Sequence, residues 1–193
     1  SSMMLGAVLC YTFAVTLKWN VPTSIGLTLL LCAAWGLLVE RVTVRPFVCR
    51  GSSAWLMATL ALGIVLENAV LFTFGKEPRS LPSWLVAHPV SIAGLGVYPL
   101  QILIPVVGLL VALALHLVFR GTLRGKAWLA VVQNPDAARL MGINVTGTIA
   151  AAYAVSTVFA GGAGMLIAPL FNVSSDMGTL FGIKAFAVAI LGG

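Results

Sequence analysis

Long apolar runs without charged residues divide this sequence, and their number and length suit a lipid bilayer rather than water. Only 8% of the 193 residues are charged and 60% are hydrophobic, whereas a typical soluble domain is about one quarter charged. A membrane-crossing helix needs about 20 consecutive apolar residues. We predict five spans and a final half-span, over residues 3–17, 21–39, 54–74, 100–119, 145–168 and 181–193.

The spans are predicted to be helices. A bilayer offers no water to an open strand edge, and the runs lack the alternation of about ten residues that marks a barrel. The fold class is therefore all-α, a polytopic transmembrane helical bundle forming a single domain over residues 1–193. The Gly/Pro-rich stretch 75–99 is predicted as a long loop, with a short interfacial helix around Ser83 to Ala87.

Basic residues set the predicted orientation, because cytoplasmic loops carry an excess of Lys and Arg. Two loops on one side, 41–53 and 120–144, hold seven of the 11 basic residues. The other side holds Lys18, Lys76, Arg79 and Lys184. We therefore expect the loop 120–144 to be cytoplasmic.

Both ends of the chain interrupt an apolar run. Residues 1–2 open directly onto the first run, and the last residues lie inside the run that begins at Ile183. We expect the chain to be a fragment of a longer membrane protein.

The loop 120–144 contains a short polar segment, NPDAARLMG, with its own start and stop signals. Asn134 is a strong N-cap residue and Pro135 suits the first helical position. Asp136 in the first turn favours the helix dipole, and Gly142 supplies the left-handed residue that ends many helices. The segment predicts a helix of about two turns, which is too short to be stable alone and must pack on something.

Two interpretations of this helix are open from its residues. The small side chains of Ala137 and Ala138 and the apolar side chains of Leu140 and Met141 suit docking into a groove of a cytoplasmic partner. Alternatively, the helix is an amphipathic surface helix that rests on lipid headgroups or on its own bundle.

The same segment resembles the cytoplasmic coupling loop of ABC importer permeases, whose pattern is Glu-Ala-Ala, three residues and Gly; this chain has Asp136 in place of Glu. More specifically, the chain resembles branched-chain amino acid permeases of the LivH type. The stretches that carry this resemblance follow the family's order: MMLGAVLCY, ERVTVRPF, ATLALGIVLEN, NPDAARLMGINV and GIKAFAVAILGG.

The resemblance implies a membrane subunit of an importer for leucine, isoleucine or valine in the bacterial-type plasma (inner) membrane. It implies a second membrane permease subunit, two cytoplasmic ABC ATPase subunits and a periplasmic or lipid-anchored amino-acid-binding protein. Coupling to the ATPases is assigned to nine residues: Asn134, Pro135, Asp136, Ala137, Ala138, Arg139, Leu140, Met141 and Gly142.

No catalytic set or Walker motif Gly-Lys-Ser/Thr occurs in the sequence, so we expect no enzyme and no bound cofactor. ATP and Mg²⁺ would be used by the partner ATPases. The alternatives are a permease of the same family for urea or short amides, and a carrier or channel that needs no ATP.

Polar residues inside predicted spans are candidates for the translocation pathway. Glu67 and Asn68 lie in the third span, and Lys184 lies in the half-span. A carboxylate inside the bilayer is costly, so Glu67 either lines the path of a zwitterionic amino acid or is a neutral carboxyl bonded to a neighbouring helix. For Lys184, the alternative to a pathway role is snorkelling to the outer interface.

Small and breaking residues mark the fifth span. Gly161, Gly162 and Gly164 in this span, and the pair Gly178 and Gly182 after it, are predicted to allow close helix approach. Alternatively, the first three break the helix so that its end faces substrate. Pro169 is predicted to end the fifth span. Cys10, Cys32 and Cys49 are predicted to be small apolar fillers without disulfides or zinc.

Overall fold

The computed structural model describes residues 2–48, 55–75, 90–92, 95–171, 173 and 177–192. These residues are almost entirely helical. The α-helices, in chain order, are α1 (Ser2–Tyr11), α2 (Val21–Val39), α3 (Arg45–Val48), α4 (Trp55–Phe74), α5 (Pro99–Gly121), α6 (Leu123–Gln133), α7 (Pro135–Leu140), α8 (Val145–Phe171) and α9 (Met177–Gly192). A π-helical segment, Thr12–Thr16, extends α1, and a second, Glu40–Val44, joins α2 to α3.

Four helical stretches in the described part of the chain are long and apolar enough to cross a membrane: Val21–Val44, Met57–Phe74, Pro99–Gly121 and Val145–Phe171. The 23 residues of α5 extend about 35 Å at 1.5 Å per residue, which exceeds the hydrocarbon thickness of about 30 Å. The predicted all-α polytopic membrane fold is confirmed. The helices at the two ends, Ser2–Thr16 and Gly178–Gly192, are shorter.

Contacts along the chain separate two compact units where the sequence predicts one domain. One unit comprises Ser1–Ser83 with Tyr153–Gly193, and the other comprises Trp84–Ala152. The chain passes from the second unit back to the first within α8.

A line of small side chains on α2 forms the packing surface of the first unit. The buried residues of α2 are spaced four apart: Ser24, Thr28, Cys32 and Gly36. The Thr28 hydroxyl donates to the carbonyl of Ser24 at 2.7 Å, so burial leaves this hydroxyl with a partner inside its own helix. Residues four apart lie on one helix face, and small residues there let a second backbone approach closely.

The glycines of α8 meet this surface and α1. A methyl group on Gly161 would strike the Cys32 side chain, and one on Gly164 would strike the backbone carbonyl of Met3. The close approach predicted for these two glycines is confirmed. It does not extend to Gly182, where an added Cβ would meet no described atom within 4 Å.

Two helices continue past residues that were expected to end them. The span predicted to end at Val39 continues through Glu40–Val44, and Glu40 is only 5% exposed. Glu and Arg are good helix formers, so the charges end the apolar run without ending the helix. Likewise, Pro169 lies inside α8, which continues to Phe171; the prediction that Pro169 ends the span is wrong. A membrane helix tolerates such a proline where neighbouring groups satisfy the freed backbone.

The second unit holds two elements that the sequence analysis did not predict. A hairpin of β1 (Val90–Ile92) and β2 (Leu95–Val97) pairs Val90 with Val97 in antiparallel register. Its signal in the sequence is the alternation of Val90-Ser91-Ile92, followed by Ala-Gly. The interfacial helix predicted around Ser83 to Ala87 lies outside the described residues.

Helix α6 is the other unpredicted element, because residues 120–144 were interpreted as a loop around one short helix. The Thr122 side chain caps α6 by accepting from the Gly125 amide at 3.0 Å. Gly125 is buried against the backbone of Phe119 at the end of α5, and the rings of Phe119 and Trp128 lie 5.5 Å apart. Packing on α5 therefore stabilises α6, and the local sequence of α6 does not predict this contact.

The glycine packing gives a direct stability test. We expect Gly164→Ala to lower the free energy of unfolding by about 1–3 kcal/mol, because the new methyl group must displace the Met3 backbone. Gly182→Ala is the matched control and should be neutral or stabilising, since its methyl group enters open space in a helix. Thermal unfolding in detergent measures both; equal melting temperatures would contradict the packing.

Candidate functional site

Helix α7 begins as its sequence predicts. The Asn134 side-chain oxygen accepts from the backbone amides of Asp136 at 3.1 Å and Ala137 at 3.0 Å. Pro135 occupies the first helical position, where no amide donor is needed. Two of the amides that a helix start leaves without partners are thus bonded to the cap residue.

The end of α7 is also bonded at both positions that a Schellman motif uses. Gly142 has φ +81° and its amide donates to the Arg139 carbonyl at 3.0 Å. The amide of Ile143 donates to the Ala138 carbonyl at 3.0 Å. This pair of bonds is the Schellman arrangement, and Ile143 also packs in the cluster that contains Ala138, as the motif commonly requires. The predicted start and stop of the helix are confirmed.

Ala138 faces the chain's own second unit rather than solvent. It is fully buried between Val131 of α6 and Val145 of α8, with Ile143 and Ile149 packed against the same cluster. Ala137 and Ala138 were both expected to let a partner approach. Ala138 instead contacts its own chain, and Ala137 is half-buried. The burial of Ala138 explains how so short a helix is stable: it is packed on two longer ones.

The opposite side of α7 is open. Leu140 is 91% exposed and Met141 is 68% exposed. Next to them, Arg139 and Asp136 form an exposed ion pair at 3.3 Å, which is worth about 0.5 kcal/mol at such a site. The exposed side of the helix thus carries two apolar side chains and an ion pair, while its buried side is packed against α6 and α8.

The polar residues predicted for the pathway do not converge. Glu67 on α4 accepts a hydrogen bond from the Thr179 hydroxyl on α9. Asn68 is exposed and donates to the Ile64 carbonyl of its own helix at 2.8 Å. Lys184 is exposed and lies 5.6 Å from the centre of the Phe181 ring. Among the described residues, Lys184 forms no ion pair with Glu67.

A pocket that the sequence analysis did not identify lies in the first unit, between α1, α2, α4 and α8. Its volume is about 200 Å³ and its lining combines aromatic, aliphatic and hydroxyl side chains, including Trp35, Leu62, Tyr153 and Thr157. Glu67, Asn68 and Lys184 are not among the lining residues. Lining residues scattered over four helices, with hydroxyl groups on three of them, leave no sequence pattern, which is why only the packed structure reveals the pocket.

Comparison with known proteins identifies the family. Residues 1–193 match the family described as "Branched-chain amino acid transport system / permease component". The chain belongs to this family. Together with the four apolar helices, membership makes this permease-family chain a multi-pass protein of the plasma (inner) membrane.

Individual relatives of this permease-family chain are also permease proteins. It is 30% identical over 171 residues to the high-affinity branched-chain amino acid transport system permease protein LivH of Escherichia coli K12, covering 86% of this chain and 55% of the relative. The corresponding protein BraD of Pseudomonas aeruginosa is also 30% identical, over 86% of this chain and 56% of its own length. The autoinducer 2 import system permease protein LsrC of an Enterobacter species is 33% identical over 72% of this chain and 39% of the relative.

The chain spans about half the length of the curated relatives that it matches most extensively. No solved structure matches it significantly.

The N-cap gives a second prediction. Asn134→Ala removes both side-chain bonds and should destabilise α7 by about 1 kcal/mol, so the backbone amides of residues 136–142 should exchange with deuterium severalfold faster. Asn134→Asp keeps an acceptor oxygen and should retain most of the protection. If the alanine variant exchanged as slowly as the native chain, the cap bonds would contribute nothing to the helix.

The bond between Glu67 and Thr179 gives a third prediction. A double-mutant cycle of Glu67→Ala and Thr179→Val should show a coupling energy of about 0.6 kcal/mol and at most ~1.7 kcal/mol. Thr73→Val is the control partner, because the Thr73 hydroxyl donates to the Ala69 carbonyl within α4. Reversible unfolding in detergent measures the cycle, and additive effects would show that the two side chains do not interact.

Proposed function

We propose that this chain is a permease subunit of an ABC importer that moves leucine, isoleucine or valine into the cell. The proposal includes a second membrane permease subunit, two cytoplasmic ABC ATPase subunits and a periplasmic or lipid-anchored binding protein. ATP and Mg²⁺ are used by the ATPases, and this chain binds neither. Its support is the family match together with the architecture of α7.

The observation that carries the proposal is the division of α7 into a buried side and an exposed side. Ala138 holds the helix against Val131 of α6 and Val145 of α8, while Leu140 and Met141 project from it. A partner that grips the exposed side chains would therefore displace α6 and α8 together with α7. Because α8 is an apolar helix long enough to cross the membrane, the push would reach a membrane-spanning element.

In this mechanism Leu140 and Met141 are the contacts to the ATPase, and Asn134, Pro135 and Gly142 keep the helix ends in place. Asp136 and Arg139 neutralise each other and leave the docking side without net charge. Ala138 acts through the packing inside its own subunit. Ala137, half-buried at the edge, allows the partner surface to come close.

The pathway roles of Glu67, Asn68 and Lys184 remain predictions. The contact with Thr179 favours the view that Glu67 joins α9 to α4, which was one of its two interpretations. A carboxyl group engaged in that bond has less capacity to bind the ammonium group of a passing amino acid. Snorkelling remains the alternative role for Lys184.

The substrate is proposed from the relatives rather than from a contact in this chain. Relatives include permeases named for branched-chain amino acids and one named for autoinducer 2 import. We propose branched-chain amino acids because the family description and the relatives matched over 86% of the chain carry that name. No contact in the described residues favours urea, short amides or a carrier that works without ATP.

The test is uptake of labelled leucine into proteoliposomes that hold the full-length subunit, its partner permease, the ATPases and the binding protein. We expect uptake that requires ATP, is blocked by excess valine and is unaffected by urea or autoinducer 2. Uptake without ATP would refute the coupling role of α7. ATP hydrolysis stimulated by a different solute, without leucine uptake, would refute the cargo alone.

A variant locates the coupling contact. Leu140→Asp should lower ATP-dependent uptake at least tenfold, because it replaces the apolar side chain that would dock with a charged carboxylate. Leu140→Met keeps the apolar contact and should transport nearly normally, and Gln133→Asp, exposed at the end of α6, should have little effect. Normal uptake by Leu140→Asp would mean that the ATPase docks elsewhere.

A further inference from the structure

We propose that the junction of α5 and α6 binds anionic phospholipid headgroups. The site consists of Arg120, Arg124 and Lys126 and is here called the basic elbow. All three side chains are exposed, and they lie within seven residues around the point where an apolar membrane helix ends.

Charge balance is the first argument. The segment 95–152 contains four basic side chains and one acidic side chain, and the acidic one, Asp136, is paired with Arg139. The three cations of the basic elbow are therefore uncompensated in that segment, and no described carboxylate lies within ion-pair distance of them. Basic side chains in the first turn of α6 also oppose its helix dipole, a cost that a nearby anion would offset.

Position is the second argument. Helix α6 turns back onto the last residues of α5: Gly125 packs on the backbone of Val118 and Phe119, and the Trp128 ring lies 5.5 Å from the Phe119 ring. This contact holds the start of α6 at the level where the membrane helix leaves the hydrocarbon. Aromatic side chains such as Trp128 favour that interface.

The side chains between the cations suit a membrane surface as well. Leu123 lies between Arg120 and Arg124 and is 84% exposed. An apolar side chain flanked by cations inserts among acyl chains while its neighbours meet phosphate groups. A docking surface for an acidic protein would satisfy the charges but would leave this leucine without a matching partner, so lipid is the favoured occupant.

The inference concerns lipid and holds whichever solute the subunit carries.

The basic elbow lies close to α7 along the chain. Lys126 precedes Asn134 by eight residues, and α6 connects the basic elbow to the cap of α7. Binding of lipid at one end of α6 would fix the level from which α7 projects.

The test uses the full-length subunit alone, reconstituted in nanodiscs of phosphatidylcholine with about one third phosphatidylglycerol. Spin-labelled lipids of each type report the preference for the anionic headgroup. A basic residue at an anionic surface contributes roughly fivefold in binding, so removing two with Arg124→Gln and Lys126→Gln should reduce the preference by at least about fivefold and by up to about 25-fold. Arg124→Lys, which keeps the charge, should retain it.

The matched control removes two other exposed basic residues predicted to lie on the same side, Arg41→Gln with Arg45→Gln. The native preference should survive in this control. An equal loss in both double variants would overturn the site in favour of a diffuse charge effect, and no loss in the Arg124 and Lys126 variant would overturn it outright.

Two further arms separate the alternatives. Adding soluble glycerol phosphate should not displace the labelled lipid, because the site is proposed for a bilayer surface; displacement would refute it. If the double variant binds lipid normally yet fails to retain the purified ATPase subunits, the basic elbow is a protein-docking surface and the proposal is wrong. Circular dichroism of each variant establishes that the helices remain folded.

Discussion

Close contact between small side chains is the interaction on which the first unit depends. Inside a bilayer, lipid tails are as apolar as leucine, so burying leucine between helices gains little and helices must associate through packing at short range. The stripe Ser24, Thr28, Cys32 and Gly36 on α2 provides that range. Where Gly161 meets Cys32 and Gly164 meets Met3, the space for one methyl group is already taken.

Buried hydroxyl groups, such as those of Thr28 and Thr157, are paired within their own helices. Buried hydroxyls such as Thr28 donate to carbonyls of their own helix, so they cost little in a medium without water. In the described residues, no buried side-chain nitrogen or oxygen lacks a hydrogen-bond partner. Many large apolar side chains point outward instead, for example Phe72 and Leu109, as lipid solvation permits.

The sequence predicts well those features that local chemistry decides. Asn134, Pro135 and Gly142 specify the two ends of α7 without help from the rest of the chain, and the structure places both ends there. Long apolar runs likewise predict membrane helices. The sequence predicts poorly what depends on neighbours: Glu40 lies buried in a helix that the charges were expected to end, and Pro169 lies within a helix that it was expected to stop.

The same distinction applies to the candidate site. That Leu140 is exposed and Ala138 buried follows from where Val131 and Val145 lie, and nothing in the segment itself distinguishes the two positions. In α6, Gly125 lowers helix propensity yet lets the helix pack on α5, so the local sequence alone does not predict this helix. The packing role of such a glycine can be recognised only when the neighbouring helix is known.

Because α7 is closed at both ends by side-chain and backbone bonds, it has a fixed length. It cannot gain a turn, since Gly142 lies in the left-handed region, and Asn144 at once caps the next helix by accepting from Gly147. If α7 is the docking element proposed above, a partner that displaces it meets a helix whose length is set at both ends, so the displacement would pass to the residues of α6 and α8 that pack on Ala138.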